Sequence, residues 1–236
     1  MEFVTMATSH DEHGRRADTA LLPVGGFEQH GAHLPLATDT LIACILAQAI
    51  GKAYPMFVLP PITISCSHEH ASFPGTISIT ASTLTQVISD IRRSLHAQGV
   101  DKLVIVSGHG GNYVLSNIAQ EANVDGPRLL VYPSAHDWNA SRQAAGLETN
   151  AHDDMHGGEG ETSILLHYAP STVRHMWKSA DHEARDRPDL LTLGMSAYTA
   201  TGIVGRPSLA DPDKGARLVD ALVAGIATHL ANLSPD

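Results

Sequence analysis

The sequence has few cysteines, few positive charges and no long apolar run, and each shortage excludes a class of protein. Its two cysteines, Cys44 and Cys66, do not make a disulfide framework, so we expect a reducing, cytoplasmic location. The formal net charge of −10 argues against a nucleic-acid-binding surface. No apolar stretch approaches the ~20 residues that a membrane-spanning helix needs, and the N-terminus lacks the apolar core of a signal peptide. We therefore expect a soluble protein with neither a nucleic-acid nor a membrane partner.

The length of the chain favours a single domain. Its 236 residues are enough to bury one sizeable core, and no internal repeat or linker interrupts them. We predict a short, partly mobile lead-in over residues 1–18 and one domain over residues 19–236.

Strand-like and helix-like segments alternate along this predicted domain. The predicted strands are Thr19–Val24, Met56–Pro60, Lys102–Val106 and Arg128–Tyr132, and an irregular loop after the second ends in another short strand. The predicted helices are 38–53, Ser82–Gly99, Asn112–Asn123, Glu161–Ala169 and Asp213–Leu233, with Ser82 as a cap. Residues 133–160 and 178–207 carry too little pattern to assign. Such alternation predicts an α/β fold with a mostly parallel sheet that helices cover on both faces.

Histidine is abundant, and its placement matters more than its count of fifteen. The segment GGFEQHGAHLPLATD follows the first predicted strand, SGHGGN follows the third, and HDDMHGGEGETS precedes a helix. Each combines histidine with a carboxylate or amide side chain and with glycine. Loops at the carboxyl ends of parallel strands are where α/β proteins build their sites. Mixed imidazole and carboxylate ligands suit zinc, manganese or ferrous iron, and a shared carboxylate could hold two ions about 3.5–4 Å apart.

Each of these residues also has an ordinary structural explanation. Asp39 could cap the following helix, and Glu161 could be a first-turn glutamate favoured by the helix dipole. His109 could be a turn residue, and Glu28 and His30 could form a solvated pair in a loop. The residues alone leave both explanations open. The structural explanation, however, requires that three separate segments each gathered metal-type side chains by chance.

The segment LLPVGGFEQHGAHLPLATDT resembles the signature of the creatininase family of metal-dependent amidohydrolases. The segments SHEHASFPGTIS, VSGHGGN and HGGEGETS follow in the family's order, so the resemblance covers nearly the whole chain. It implies a three-layer α/β/α sandwich with two divalent metal ions per chain, zinc first and manganese or iron as alternatives. It also implies a homo-oligomer, often a hexamer.

The resemblance assigns roles to individual positions. Glu28, His30, Asp39 and His109 match metal ligands, with Asp39 as the bridge between the two ions. His156 matches the catalytic histidine of the family, although a purely structural role for it stays open. His33 matches less clearly, and we expect it to support the site rather than bind metal.

Two departures from creatininase itself bear on the substrate. Gly111 stands where creatininase has a glutamate ligand, and we expect Glu161 to complete the site instead. His152 and Met155 stand where creatininase has a tryptophan and a glutamate. Because that tryptophan belongs to the creatinine pocket, the change argues against creatinine as the substrate.

The function that the resemblance implies is hydrolysis of a C–N amide bond by metal-activated water, with His156 passing a proton to the leaving nitrogen. The motifs fit formamides or short peptides better than creatinine. We expect His70 near the pocket mouth, where it either orients the substrate or supports its loop. We expect Trp138 as a pocket wall or a core residue, and His152 beside the substrate. Two alternatives remain: a non-catalytic member that binds a ligand, and a metallophosphoesterase. A metallophosphoesterase would need a cluster of Lys and Arg near these motifs to hold phosphate, and the sequence has no such cluster there.

Overall fold

Four parallel strands form the central sheet of the computed structural model, which describes residues 4–233. The strands are β1 (Thr19–Val24), β2 (Phe57–Val58), β3 (Lys102–Ser107) and β4 (Leu129–Tyr132), in the order β2-β1-β3-β4. Leu21 pairs with Val58 on one side and with Val104 on the other. Because every pair is parallel, the loops that leave the strands gather at one edge of the sheet.

Eight α-helices accompany the sheet in residues 4–233. They are α1 (Ser9–Arg15), α2 (Thr38–Ala53), α3 (Ala81–His96), α4 (Val114–Ala122), α5 (Ala135–Ala145), α6 (Glu159–Tyr168), α7 (Leu190–Leu193) and α8 (Pro212–Leu233). Single 3-10 turns lie at His68–His70, Pro170–Thr172, His175–Ser179, Met195–Ala197 and Pro207–Leu209. No helix among the described residues combines the length and apolar character needed to cross a membrane.

The two faces of the sheet belong to two separate cores, since successive side chains of a strand point to opposite faces. On β1, Leu21 packs into a core with α2, α5, α6 and α8, whereas Leu22 packs with α3 and α4. On β3, Val104 joins the first core and Ile105 the second. This arrangement of helix, sheet and helix confirms the predicted α/β class and its three layers.

Several predicted boundaries differ from the observed ones. The helix predicted over 38–53 is α2 without change, whereas the second strand shrinks to Phe57–Val58. Helix α3 begins at Ala81, because the Thr80 hydroxyl accepts a hydrogen bond from the Thr83 amide and takes the capping role assigned to Ser82. The short strand expected before this helix is reduced, in the described chain, to one antiparallel bridge between Phe27 and Ile77.

Three of the described helices lie where no helix was predicted, and one of them is the short α7 in the unassigned stretch 178–207. Helix α5 falls in the unassigned stretch after β4, and Ser134 and Asp137 cap it reciprocally. Helix α1 falls inside the predicted lead-in, where Thr8 and Asp11 form the same kind of capping box. The first three residues of that lead-in, and the last three of the predicted domain, lie outside the described residues.

Candidate metal centre

Three loops bring histidines and carboxylates together at the carboxyl edge of the sheet. In three sets of side chains, one potential ligand atom from each lies within 4.8 Å of the others. These sets are Glu28 with His30 and His156, Glu28 with Asp39 and His109, and His30 with Asp39 and Glu161. All five residues predicted as ligands therefore fall in one cluster, together with the predicted catalytic His156; we call this cluster the metal centre.

Asp39 lies between two histidines. Its Oδ1 is 2.9 Å from His30 Nε2, and its Oδ2 is 3.3 Å from His109 Nδ1. Burial would raise the pKa of this carboxyl, but the facing imidazoles hold it below its ordinary value. The carboxylate thus presents one oxygen to each side of the cluster, as a shared ligand must.

Glu28 has the least satisfied side chain of the cluster. Both of its carboxylate oxygens are buried without a hydrogen bond, although His70 Nε2 lies 3.2 Å from Oε1 and His109 Nε2 lies 3.1 Å from Oε2. Burial raises the pKa of this carboxyl well above its ordinary value, and the nearby Asp39 raises it further. Since a buried carboxylate that accepts no hydrogen bond is costly, this environment fits a bound cation.

Backbone carbonyls fix the orientation of two imidazoles. His30 Nδ1 lies 3.0 Å from the Glu28 carbonyl oxygen, and His156 Nε2 lies 2.5 Å from the Gln29 carbonyl oxygen. Because a carbonyl oxygen only accepts, these nitrogens carry the protons and donate. His30 therefore turns Nε2 toward Asp39, and His156 turns Nδ1 toward Glu28 at 3.6 Å. Metal-binding histidines are usually oriented by such a bond from the other ring nitrogen.

Glu161 completes the far side of the cluster from the first turn of α6. Its Oε2 accepts a hydrogen bond from the Gly157 amide at 2.6 Å and lies 3.9 Å from His30 Nε2. Burial raises the pKa of its carboxyl to about 7. The side chain is thus held next to His30 and Asp39, where it was expected to complete the site.

The three residues expected to contact substrate are placed differently from one another. Trp138 is half-buried against the core and also lines an open cavity of about 470 Å³, whose walls include His109, Asn112 and Glu161. We call it the Trp138 cavity. Trp138 is therefore both a core residue and a pocket wall, the two roles considered for it.

His70 and His152 lie apart from the Trp138 cavity, and their roles toward the substrate stay predictions. His70 is buried beneath the centre, where its Nε2 faces Glu28 and its Nδ1 accepts a hydrogen bond from the Gln29 side chain. His152 is exposed and bonds the Arg185 carbonyl, so it ties two surface loops together and does not line the Trp138 cavity. His33 is buried near Thr162 at 3.2 Å and belongs to none of the ligand sets, as expected.

Three side chains that support the centre were not among the predicted site residues. Gln29 donates hydrogen bonds to His70 and to the Gly202 carbonyl. Asp154 accepts hydrogen bonds at the start of α6, and Glu69 approaches His109 to 3.8 Å. All three lie inside or beside the quoted motifs, which was the available signal, but their contacts depend on how the loops fold.

The donor set suits a transition metal. Imidazole nitrogens and carboxylate oxygens together bind zinc, manganese and iron. Both oxygens of Glu28 and Oδ2 of Asp39 are buried and accept no hydrogen bond from the described residues, so they can supply negative charge to a metal ion. The residues present therefore fit a metal ion.

Comparison with known proteins gives concordant matches. The sequence profile of the creatininase family, described as creatinine amidohydrolase, matches residues 5–230. The mycofactocin precursor peptide peptidase of Mycobacterium ulcerans (strain Agy99) is 35% identical over 228 residues, which cover 91% of this chain and 85% of that protein. The creatinine amidohydrolase of Pseudomonas putida is 28% identical over 236 residues, with 91% and 89% covered. A solved mutant creatininase of the Zn-Zn type superposes with a TM-score of 0.80 at 26% identity, over 100% of both chains.

Proposed function

The chain belongs to the creatininase family of amidohydrolases, and from that premise we propose that it cleaves a C–N amide bond other than that of creatinine, with two divalent metal ions per chain. The observation that carries the proposal is the convergence of six ligand-type side chains, among them the buried Glu28 carboxylate, whose oxygens accept no hydrogen bond. Among possible amides, a short peptide is favoured. The 35% identical relative is named a precursor peptide peptidase, and the creatinine-pocket tryptophan is replaced by His152.

The side chains divide into two groups that share Asp39. Glu28 and His109 would hold one ion with it, and His30 and Glu161 the other. When bound, such ions lower the pKa of a water molecule and polarise the amide carbonyl. Zinc is the first expectation, and manganese and iron share these ligand preferences.

His156 is proposed to move a proton during the cleavage. Its Nε2 donates to the Gln29 carbonyl, which leaves the lone pair of Nδ1 facing the centre. Burial lowers the pKa of this imidazole well below its ordinary value, so it starts neutral. Nδ1 can then accept a proton and pass it to the leaving nitrogen, a role that typically contributes about 10²–10⁴-fold in rate.

Metal content is the first test. Protein purified without chelator or metal-affinity resin is measured by inductively coupled plasma mass spectrometry. About two transition-metal ions per chain support the proposal. One ion would mean that Glu161 does not replace the ligand missing at Gly111. None, even after zinc or manganese is added back, would favour the non-catalytic reading.

Metal-loaded protein is then offered formamides, lactams and short peptides, with products read by mass spectrometry. Peptide cleavage supports short peptides as the substrate class. Formamide cleavage without peptide cleavage would assign formamides as the substrate class instead. Phosphate release from a generic aryl phosphate, without amide cleavage, would contradict an amidohydrolase.

The role of His156 is tested by His156→Ala. We expect turnover to fall by about 10²-fold or more while two ions per chain remain bound. Unchanged turnover would remove the proton-transfer role, and loss of metal would assign His156 to the ligands instead.

We also propose a homo-oligomer, with a hexamer as the expected form, in a reducing cytoplasm. The two cysteines, Cys44 and Cys66, are buried and free, which fits a reducing compartment. Light scattering coupled to size-exclusion chromatography measures the mass directly, and a monomeric mass would contradict the assembly.

A further inference from the structure

Glu69 is a mostly buried carboxylate that the proposed mechanism does not use. Its side chain is 10% exposed, and no hydrogen bond from the described residues reaches its carboxylate. The imidazole of His109 approaches it, with Nε2 3.8 Å from Glu69 Oε1. The carboxylate lines an open cavity and accepts no hydrogen bond from the described residues, so it is free to accept one from a cationic ligand.

Gly111 makes the space that this carboxylate occupies. A Cβ atom on Gly111 would lie 1.9 Å from Glu69 Oε1 and 2.4 Å from His109 Nε2. A residue with a side chain at this position would therefore displace Glu69 from the edge of the metal centre. The 3-10 turn His68–His70 presents Glu69 from a different loop.

Glu69 lines a cavity of about 450 Å³ next to the metal centre. The other walls are largely apolar and include Tyr113, Leu191 and Leu193, whose side chains are more than half exposed. Tyr113 also lines the Trp138 cavity, so both cavities border the segment that follows His109. We call this second space the Glu69 cavity.

We propose that the Glu69 cavity binds a protonated amine, and that it receives the amine half of the cleaved amide. This assignment rests on the proposed function. In amide hydrolysis the oxygen of water bonds to the carbonyl carbon, the C–N bond breaks, and the nitrogen takes a proton to leave as an amine. That amine is an ammonium ion at neutral pH. A carboxylate that accepts no hydrogen bond from the described residues, with the Tyr113 ring in the same cavity wall, is a suitable partner for it, because both groups attract a cation.

Direct binding tests the proposal without a known substrate. Zinc-loaded protein at pH 7 is titrated calorimetrically with n-butylammonium, and with n-butanol as a neutral analogue. The same titrations are made on Glu69→Gln, which keeps the side-chain shape and removes the charge. Glu121→Gln is the matched control, since Glu121 is exposed on α4 and lines neither cavity.

We expect Glu69→Gln to weaken n-butylammonium binding by about tenfold or more, whereas Glu121→Gln binds as the wild type does. Zinc content is expected to stay at the wild-type value in both variants. Three results would overturn the proposal: no binding to the wild-type protein, equal weakening for n-butanol, or loss of zinc from Glu69→Gln. The last would make Glu69 a metal ligand.

These outcomes separate the two proposals. Absence of amide cleavage by a protein that still binds n-butylammonium through Glu69 would contradict the proposed function and leave the cation site standing. Amide cleavage by a protein whose amine binding is unchanged in Glu69→Gln would support the proposed function and contradict the cation site.

Discussion

At the scale of single residues, Glu28 has the environment that most needs a cation. Its two oxygens are buried without a hydrogen bond, and both burial and Asp39 raise the pKa of its carboxyl. The folded state therefore binds a proton at Glu28 more tightly than the unfolded state, and the charged form destabilises the metal-free fold at neutral pH. A bound cation reverses this penalty, because it stabilises the ionised carboxylate.

The first prediction concerns Glu28→Gln. We expect the metal-free variant to be more stable than the metal-free wild type, by about 1 kcal/mol or more, because a buried charge is removed. Zinc at about 100 times its dissociation constant should add about 2.7 kcal/mol to the wild type and little to the variant. Urea unfolding with and without zinc measures both effects.

Glu148→Gln is the control for this comparison, since Glu148 has a 61% exposed side chain on the surface. It should respond to zinc as the wild type does. A metal-free Glu28→Gln protein less stable than the wild type would show that the Glu28 carboxylate is satisfied in some other way.

Glu161 supports a second prediction, on pH. Burial raises the pKa of its carboxyl from 4.5 to about 7. The folded state therefore keeps this proton over a range in which the unfolded state loses it, so the stability due to Glu161 falls as pH rises from about 4.5 to 7. In metal-free protein, the free energy of unfolding of Glu161→Gln relative to that of the wild type should therefore rise by about 1–3 kcal/mol from pH 5 to pH 8. Unfolding curves at both pH values give the difference; a constant difference would contradict the raised pKa.

Residue identity could be predicted at the metal centre, but side-chain direction could not. Glu28, His30 and Asp39 stand in one long motif, so the sequence places them close together before any fold is known. His70 and His152 are equally suitable by type, yet one is buried under Glu28 and the other faces solvent. Their directions depend on the paths of two loops that have no periodic pattern.

At the scale of elements, the start of α6 depends on one buried carboxylate. Asp154 Oδ1 accepts the amides of Glu159 and Arg206, and its Oδ2 accepts the Gly160 amide and an Arg142 guanidinium N–H. An acceptor here satisfies free amides and interacts favourably with the positive end of the helix dipole. The same turn carries Glu161, so Asp154 positions a residue of the metal centre without touching it.

The third prediction follows from this network. Asp154→Asn should lower the free energy of unfolding by about 3–5 kcal/mol, because it leaves the buried Arg142 guanidinium without its counter-charge. The measurement is urea unfolding at neutral pH. Asp90→Asn is the comparison, since its pair with Arg93 has side chains 63% and 75% exposed and should contribute less than about 1 kcal/mol. A similar loss in both variants would argue against the buried network.

Helices and strands were predictable where apolar residues recur at a regular spacing. Helix α2 has that spacing through its whole length, and its predicted bounds are the observed ones. Helix α5 was missed, because four of its eleven residues are buried and polar Asp137, Ser141 and Arg142 are three of them. Its burial is stabilised by capping and ion pairing, which an apolar pattern does not reveal.

At the scale of the whole molecule, the metal centre joins distant parts of the chain. Glu28 and Asp39 follow β1, His109 follows β3, and Glu161 lies on α6. The parallel sheet brings these loops to one edge, and that much follows from the alternation of strands and helices in the sequence. The contacts between loops could not be predicted, because they depend on single side chains such as Asn112, which bonds both the Cys66 amide and the Gly25 carbonyl.

The fourth prediction uses this difference between sheet and loops. Chelation of the metal should lower amide hydrogen-exchange protection at the loop bonds that flank the centre, since their side chains lose a shared ligand. These are the bonds from the Glu28 amide to the Leu36 carbonyl and from the His156 amide to the Val204 carbonyl. The amides of β3, which bond neighbouring strands inside the core, should keep their protection. Exchange measured by mass spectrometry before chelation, after it and after zinc is restored would show the change and its reversal. Equal loss in β3 and the loops would mean that the metal stabilises the fold as one unit, and no loss anywhere would mean that the loops are held without it.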